Sequence, residues 1–248
     1  MKLIEVFNQL THGELSNLSI GGRENGEITE ENYKGVMAHV NLGLTDLFKR
    51  FTLKEGRLQL ELQDDQALYS LSSKFAVNGK RSKETVRYIL DTVANPFRDD
   101  VLKIEQVITD AGCELELNNK SAQYSCFTPS AEVLRVPTIM VSGLLSIPEQ
   151  LKTEQLTVVY RANHPVFDTE VGSFDPGNTE VELPYTHLWA LCLFVASRIN
   201  NPIGMSQEFN AGNNYAAKYE AECQRLEADG YEVDQGAGNS RARRNGWV

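Results

Sequence analysis

The sequence holds little of what secreted or thiol-based proteins need. Cysteine occurs four times, at 113, 126, 192 and 223, and no two stand in C-x-x-C spacing. That argues against a disulfide framework or a thiolate metal knuckle and points to a reducing compartment. Cys192 and Cys223 fall on apolar helical stripes, where a thiol behaves as a small core side chain. Long hydrophobic runs are also missing. The strongest, Leu188 to Ala196, falls well short of the ~20 residues a membrane helix needs. Polar residues interrupt the first nine positions too early for a secretory leader, so the sequons at Asn17 and Asn119 carry no expectation of glycosylation. Positive charge is scarce: 24 Lys and Arg stand against 34 Asp and Glu, a formal net charge of −10. Such a chain is repelled by phosphates, which argues against sequence-reading DNA binding but allows a wall that DNA passes without sticking.

Catalytic signatures are missing in the same way. There is no G-x-S-x-G elbow, no phosphate-cradling G-x-x-x-x-G-K-[ST] and no H-x-x-x-H pair. Gly236-Ala237-Gly238-Asn239-Ser240-Arg241 begins like a dinucleotide fingerprint, but it has Arg where the third Gly belongs and follows a helix instead of a strand. The four histidines, His12, His39, His164 and His187, are dispersed. His187 reads as a hydrogen-bonded core residue, His39 as the same or solvent-facing. Asp64-Asp65 and Asp99-Asp100 read as solvated loop carboxylates, since no spacing supplies the six to eight oxygens of a Ca²⁺ site. No catalytic residue, cofactor or metal is expected, and the chain reads as a non-enzyme.

What is present is pattern. Leu3, Val6, Phe7 and Leu10 mark a first helix over about 3–18, with Gly13 weakening it. A stronger helix opens at Thr29 as N-cap and places Tyr33, Val36, Met37, Val40, Leu44, Leu47, Phe48 and Phe51 on one face, with Gly56 just past its end. The period then drops to two. Leu58, Leu60 and Leu62 alternate with polar residues, as do Leu102, Ile104, Gln106 and Ile108, which meet a turn at Asp110-Ala111-Gly112 and a return strand through Cys113, Leu115 and Leu117. Further strands are expected near 133–136, 138–141 and 156–161, and a short helix over 83–93. Helix resumes at Pro184 with a segment apolar on every side, and so buried. A last amphipathic helix runs from Ser206, with a polar face through Lys218, Glu220, Glu222, Arg225 and Glu227. The expected class is α+β: a helical bundle with an inserted β-rich, sandwich- or barrel-like module and an extended C-terminal arm. Its parts are 1–56 (N-terminal helical), 57–180 (β-rich), 181–229 (a helix pair packing on the N-terminal helices) and 230–248 (the arm).

The arm has no periodicity but carries Arg241, Arg243, Arg244 and Trp247 on an otherwise acidic chain. Arg and Trp are the types most enriched at interface hot spots, so these four are the candidate partner-binding residues.

In element order, and in the style of the helix pair Leu183-Pro184-Tyr185-Thr186-His187-Leu188-Trp189-Ala190-Leu191-Cys192 and Tyr215-Ala216-Ala217-Lys218-Tyr219-Glu220-Ala221-Glu222-Cys223, the chain resembles the head-to-tail adaptor (connector) proteins of tailed bacteriophages. The resemblance implies a structural virion protein. Twelve copies would form a ring beneath the portal protein and extend the DNA channel, without reading DNA sequence, toward a downstream tail or nozzle protein. Arg241, Arg243, Arg244 and Trp247 would then reach the portal. The β region is long for a minimal adaptor. Two other readings stay open: another head- or tail-completion protein such as a stopper, and an enzyme or ligand-binding protein with its site in the β-rich module.

Overall fold

A computed structural model describes residues 1–16, 28–63, 68–78, 86–110, 112, 114, 115, 133–135, 155–168, 174–200 and 207–231. The chain is α+β. It divides into two compact units: Met1–Leu53 together with His164–Val248, and Lys54–Asn163. The second interrupts the first in sequence.

The helical unit holds α1 (Leu3–His12), α2 (Tyr33–Arg50), α3 (Leu188–Ile199) and α4 (Gln207–Ala228). In α1 the apolar face is the expected one, Leu3, Val6, Phe7 and Leu10, but the helix stops six residues earlier than the sequence suggests. Gly13 is its C-cap rather than a weak point inside it. The Gly13 N–H donates to the Gln9 carbonyl at 2.9 Å, and a Cβ there would stand 2.6 Å from that oxygen, so a side chain is excluded. The start of α1 is held from outside the helix. The otherwise unpaired N–H groups of Leu3 and Ile4 donate to the carbonyls of Thr179 and Pro176, which satisfies helix-end donors that no intrahelical acceptor can reach.

The chain enters α2 through Thr29. Its N–H donates to Asn32 Oδ1 at 2.8 Å, and its carbonyl accepts from the N–H groups of Asn32 and Tyr33. This is half of a capping box, with Asn in the role of Glu. The expected face is buried from Val36 to Phe51, while Tyr33 is half-exposed. Gly43, silent in the periodicity, is the point of closest approach to α3. A Cβ there would meet Leu191 Cδ1 at 2.8 Å and Phe194 Cδ1 at 2.9 Å. The segment returning to this unit is pinned to α2 by Asn41. Its amide donates to the Phe167 carbonyl and accepts the Phe167 N–H, both at 3.0 Å.

The β unit is a five-stranded antiparallel sheet in the order β3–β1–β7–β4–β5, with a separate β2–β6 pair. The strands are β1 Glu55–Glu61, β2 Leu68–Ser70, β3 Ile89–Leu90, β4 Val101–Thr109, β5 Glu114–Leu115, β6 Val133–Arg135 and β7 Gln155–Ala162. Leu58 and Leu60 on β1 and Leu156, Val158, Tyr160 and Ala162 on β7 point into one core. Tyr69 and Tyr88 meet edge to face at 5.0 Å within it. The Tyr88 hydroxyl closes a two-way bridge to Ser70, accepting its N–H and donating to its carbonyl, each at 2.9 Å.

Three expectations change here. Gly56 does not terminate a helix. It lies in β1 opposite Tyr160, where a Cβ would stand 2.3 Å from that ring, so the glycine makes room for the aromatic across the strand pair. The expected short helix over 83–93 gives way, in its described part, to strand: Ile89 and Leu90 pair with Leu60 and Gln59, and the Tyr88 carbonyl takes the Glu61 N–H at 2.8 Å. Burying Tyr88 and Ile89 and satisfying the edge of β1 outweigh a weak helical preference. In β4 the buried residues are Val101, Ile104, Val107 and Thr109, not the strict alternation through Leu102, Ile104, Gln106 and Ile108. Register shifts at Val101/Lys103 and Ile104/Gln106 are bulges that turn the pleat over. The β4–β5 hairpin forms at the expected place, with Gly112 at φ 79° taking the left-handed conformation the turn requires and Leu115 opposite Val107; Cys113 and Leu117 of the expected return strand lie outside the described residues. The expected strand at 138–141 lies outside the described residues.

Candidate functional site

Arg241, Arg243, Arg244 and Trp247 lie outside the described residues. Within them, the surface richest in recognition chemistry is one flank of α4, where it runs beside the start of α3 and the end of α1.

Pro184 opens a single 3₁₀ turn, Tyr185–His187, that leads into α3. From Ala190 to Ser197 α3 is buried, as its all-round apolar sequence requires. Its entry is not. Tyr185 is 65 % exposed and Trp189 44 % exposed, and a spacing of four puts them on one side of the turn. The Trp189 indole N–H donates to Glu14 Oε1 at 3.2 Å, and the Tyr185 hydroxyl donates to Glu5 Oε2 at 2.5 Å. From α4, the Arg225 guanidinium lies 5.8 Å from the Trp189 ring centroid while donating to the buried Glu222 at 2.7 Å. Nearly three helical turns earlier on α4, Tyr215 donates to the Glu14 carbonyl at 3.1 Å and carries the Lys218 ammonium 5.3 Å over its ring. The result is a half-wet platform of Tyr185, Trp189, Tyr215, Lys218 and Arg225 around Glu14. Among the described residues the second oxygen of Glu14, Oε2, is buried without a hydrogen-bond partner.

The opposite flank of α4, against α2, is closed. Arg50 donates to Glu220 at 2.7 Å and to Glu227 at 2.8 Å. The Tyr219 hydroxyl donates to Asp46, and burial, with that bond next, raises its pKa. A depression of about 280 Å³ lies between α2, α3 and α4, lined by Asp46, Ser197, Arg198, Asn213 and Tyr219 among others. It falls just short of the ~300–1,000 Å³ of small-molecule sites.

The other chemistry-bearing residues serve the fold. Cys192 and Cys223 are buried and free. Burial, then the Glu14 carboxylate, pushes the Cys192 thiol up to about 12, which leaves it unreactive. His187 is fully buried, edge-on to Phe51 at 4.7 Å, with Nδ1 3.0 Å from the Thr186 hydroxyl. Among the described residues Nε2 has no partner, so the expected core histidine is hydrogen-bonded there on one nitrogen, and burial lowers its pKa. His39 is half-buried on α2, its pKa lowered by burial and then by Arg198. His164 accepts the Glu182 N–H on Nε2 at 3.0 Å, which assigns the ring proton to Nδ1 beside the Pro165 carbonyl. Asp99, at φ 58°, accepts both the N–H and the hydroxyl of Ser73 at 2.5 Å, and Asp100 accepts the Tyr160 hydroxyl at 3.1 Å. Asp64 and Asp65 lie outside the described residues. Among the described residues there is no group of three His, Cys, Asp or Glu that could hold a metal, and no helix long and apolar enough to cross a membrane.

Sequence reasoning passed over Tyr185 and Trp189 because the helix from Pro184 reads as core all round; Arg225 was placed on the polar face of the last helix. The available signal was the pair of polar-tipped aromatics four apart in its first turn, ahead of the run Ala190–Ala196. No protein-family model and no curated protein matches the chain.

Proposed function

We propose that this chain is a structural, non-enzymatic subunit of a virion, a head-to-tail adaptor of the tailed-bacteriophage kind. It would assemble as a ring of about twelve copies beneath the portal. In this reading Arg241, Arg243, Arg244 and Trp247 reach the portal, the platform around Trp189 contacts the neighbouring copy, and the acidic chain lets DNA slide through the ring toward the tail. The observation that carries it is Trp189, left 44 % exposed in a single copy with the Arg225 guanidinium 5.8 Å from its ring centroid. Exposed Trp with Arg beside it is the composition of an interface anchor. A closed ring asks each subunit for two different, complementary faces, of which the Trp189 flank of α4 would supply one. The sheet unit, in the finer form of this reading, is an inserted module that faces the tail or the neighbouring subunits.

The test is negative-stain imaging of the purified chain mixed with the cognate portal. The reading expects an added ring on the tail side of the portal, coaxial with it. Portal particles with no added ring at saturating chain concentration would overturn it. Density placed farther down the tail would favour a stopper instead.

A further inference from the structure

The depression between α2, α3 and α4 exists because α4 is thin there. Gly212 and Ala216, four residues apart on one side of α4, face Phe194, Ser197 and Arg198 of α3 across it. Larger side chains would fill the groove between the helices; these two leave about 280 Å³ open. Phe194, Ser197, Gly212 and Tyr219 are buried, while Arg198, Asn213, Ala216 and Glu220 are exposed, so the depression has a covered floor and an open rim.

Its charges are unevenly engaged. Both carboxylates on its walls have partners: Asp46 accepts the Tyr219 hydroxyl, and Glu220 accepts from Arg50 at 2.7 Å. Arg198 has none. Among the described residues its guanidinium makes no hydrogen bond or ion pair, and it lies 5.2 Å from the Phe194 ring centroid. Arg50, Arg57, Arg161 and Arg225 each meet a carboxylate, on a chain where acids outnumber bases 34 to 24. The Asn213 amide, on the facing helix, also makes no hydrogen bond among the described residues. A guanidinium fork beside a free amide suits a carboxylate. The Phe194 ring and the Ala216 methyl suit a short apolar stem on it. Asp46 and Glu220 turn away a polyanion such as phosphate, whose second charge would meet two like charges in one small space. The volume lies below that of drug-sized ligands, so the occupant is small.

We infer that the depression between α2, α3 and α4 is a binding site for a carboxylate on a short apolar stem, held by Arg198 and Asn213 against the Phe194 ring. It does not depend on the ring reading proposed above. The carboxylate belongs either to a small free acid or to an acidic side chain of a second copy, two sources with one chemistry that the experiment separates.

His39 supplies the readout. It does not line the depression, but its pKa is lowered by burial and then by the Arg198 charge, so a carboxylate that neutralises Arg198 should move its titration upward. In dilute full-length protein, the His39 ring resonance, assigned with a His39→Gln chain, is followed through pH in sodium butyrate and in sodium chloride of equal ionic strength. Butyrate should raise the midpoint above its value in chloride; phosphate and butylamine should not. Arg198→Gln should raise the midpoint of the free chain, because the repelling charge is gone, and weaken butyrate about tenfold or more, the loss of a hydrogen bond to a charged group. Ala216→Leu keeps every charge, lies on an exposed position and fills the depression, so it should abolish the butyrate shift with the far-UV circular dichroism unchanged. A midpoint that rises with protein concentration in the absence of butyrate, and not in the Ala216→Leu chain, would assign the carboxylate to a second copy. A butyrate effect no larger than that of chloride with no dependence on protein concentration, an equal shift from phosphate, or a shift that survives both substitutions would overturn the proposal.

Discussion

The two flanks of α4 differ in a way its amphipathic pattern does not announce. Toward α2, polar groups are matched: Arg50 bridges Glu220 and Glu227, and Tyr219 donates to Asp46. Toward α1 and the start of α3, large aromatics stand half in water, and among the described residues a buried carboxylate oxygen has no partner. The first arrangement belongs to a contact finished within one chain. The second leaves aromatic area in water, which adds little to the isolated fold, and in the reading proposed above that area is what a neighbouring copy would cover. If the open flank docks a neighbouring copy, one helix serves stability on one side and recognition on the other, and substitutions should separate the two roles.

The largest stability effect belongs beneath the closed flank. Gly43→Val would drive a Cβ into Leu191 and Phe194, already 2.8 and 2.9 Å from that position, and should cost about 3 kcal/mol by overpacking, read as a lower urea midpoint by far-UV circular dichroism. On the open flank, Trp189→Ala removes a half-exposed ring and its bond to Glu14 and should cost about 1.5 kcal/mol of stability, about half the Gly43→Val loss, yet weaken partner binding by about 2 kcal/mol, measured by titration calorimetry. The reverse pattern would dissolve the distinction between the flanks. Tyr219→Phe removes the bond to Asp46 and should cost about 1 kcal/mol with binding unchanged.

Acid should test the core of the same unit. His39 and His187 have lowered pKa values in the fold, so protonation favours the unfolded chain. Their stabilising contribution is complete above the unfolded value near 6.5 and declines as pH falls below it toward the folded values. Urea midpoints measured from about pH 7.5 down to pH 5 should fall accordingly; a midpoint that rises with acid would contradict the burial of His187.

The comparison also bears on what could be read from the residues alone. The α2 face and the Leu58/Leu60 alternation of β1 were legible because each element buries one face at a constant local period. The β4 pleat was not. Its two bulges arise from the register against β7, and no local period encodes a partner's register. Gly56 was misread for the same reason, since its purpose is set by Tyr160, a residue more than a hundred positions away. The open platform escaped because hydrophobicity along the helix from Pro184 says how apolar the segment is, not where neighbouring helices stop covering it. Arg241, Arg243, Arg244 and Trp247 stood out in the sequence by charge contrast alone, a compositional signal that needs no fold.

The most direct measurement is the number of copies of this chain held on a portal particle, by mass photometry, with and without Trp189→Ala. If the Trp189 flank joins neighbouring copies, unaltered chain should load about twelve copies per portal in a steep, cooperative step. The Trp189→Ala chain, with its fold intact by circular dichroism, should load few and without cooperativity. Equal loading of the two chains, with the same concentration dependence, would contradict the account.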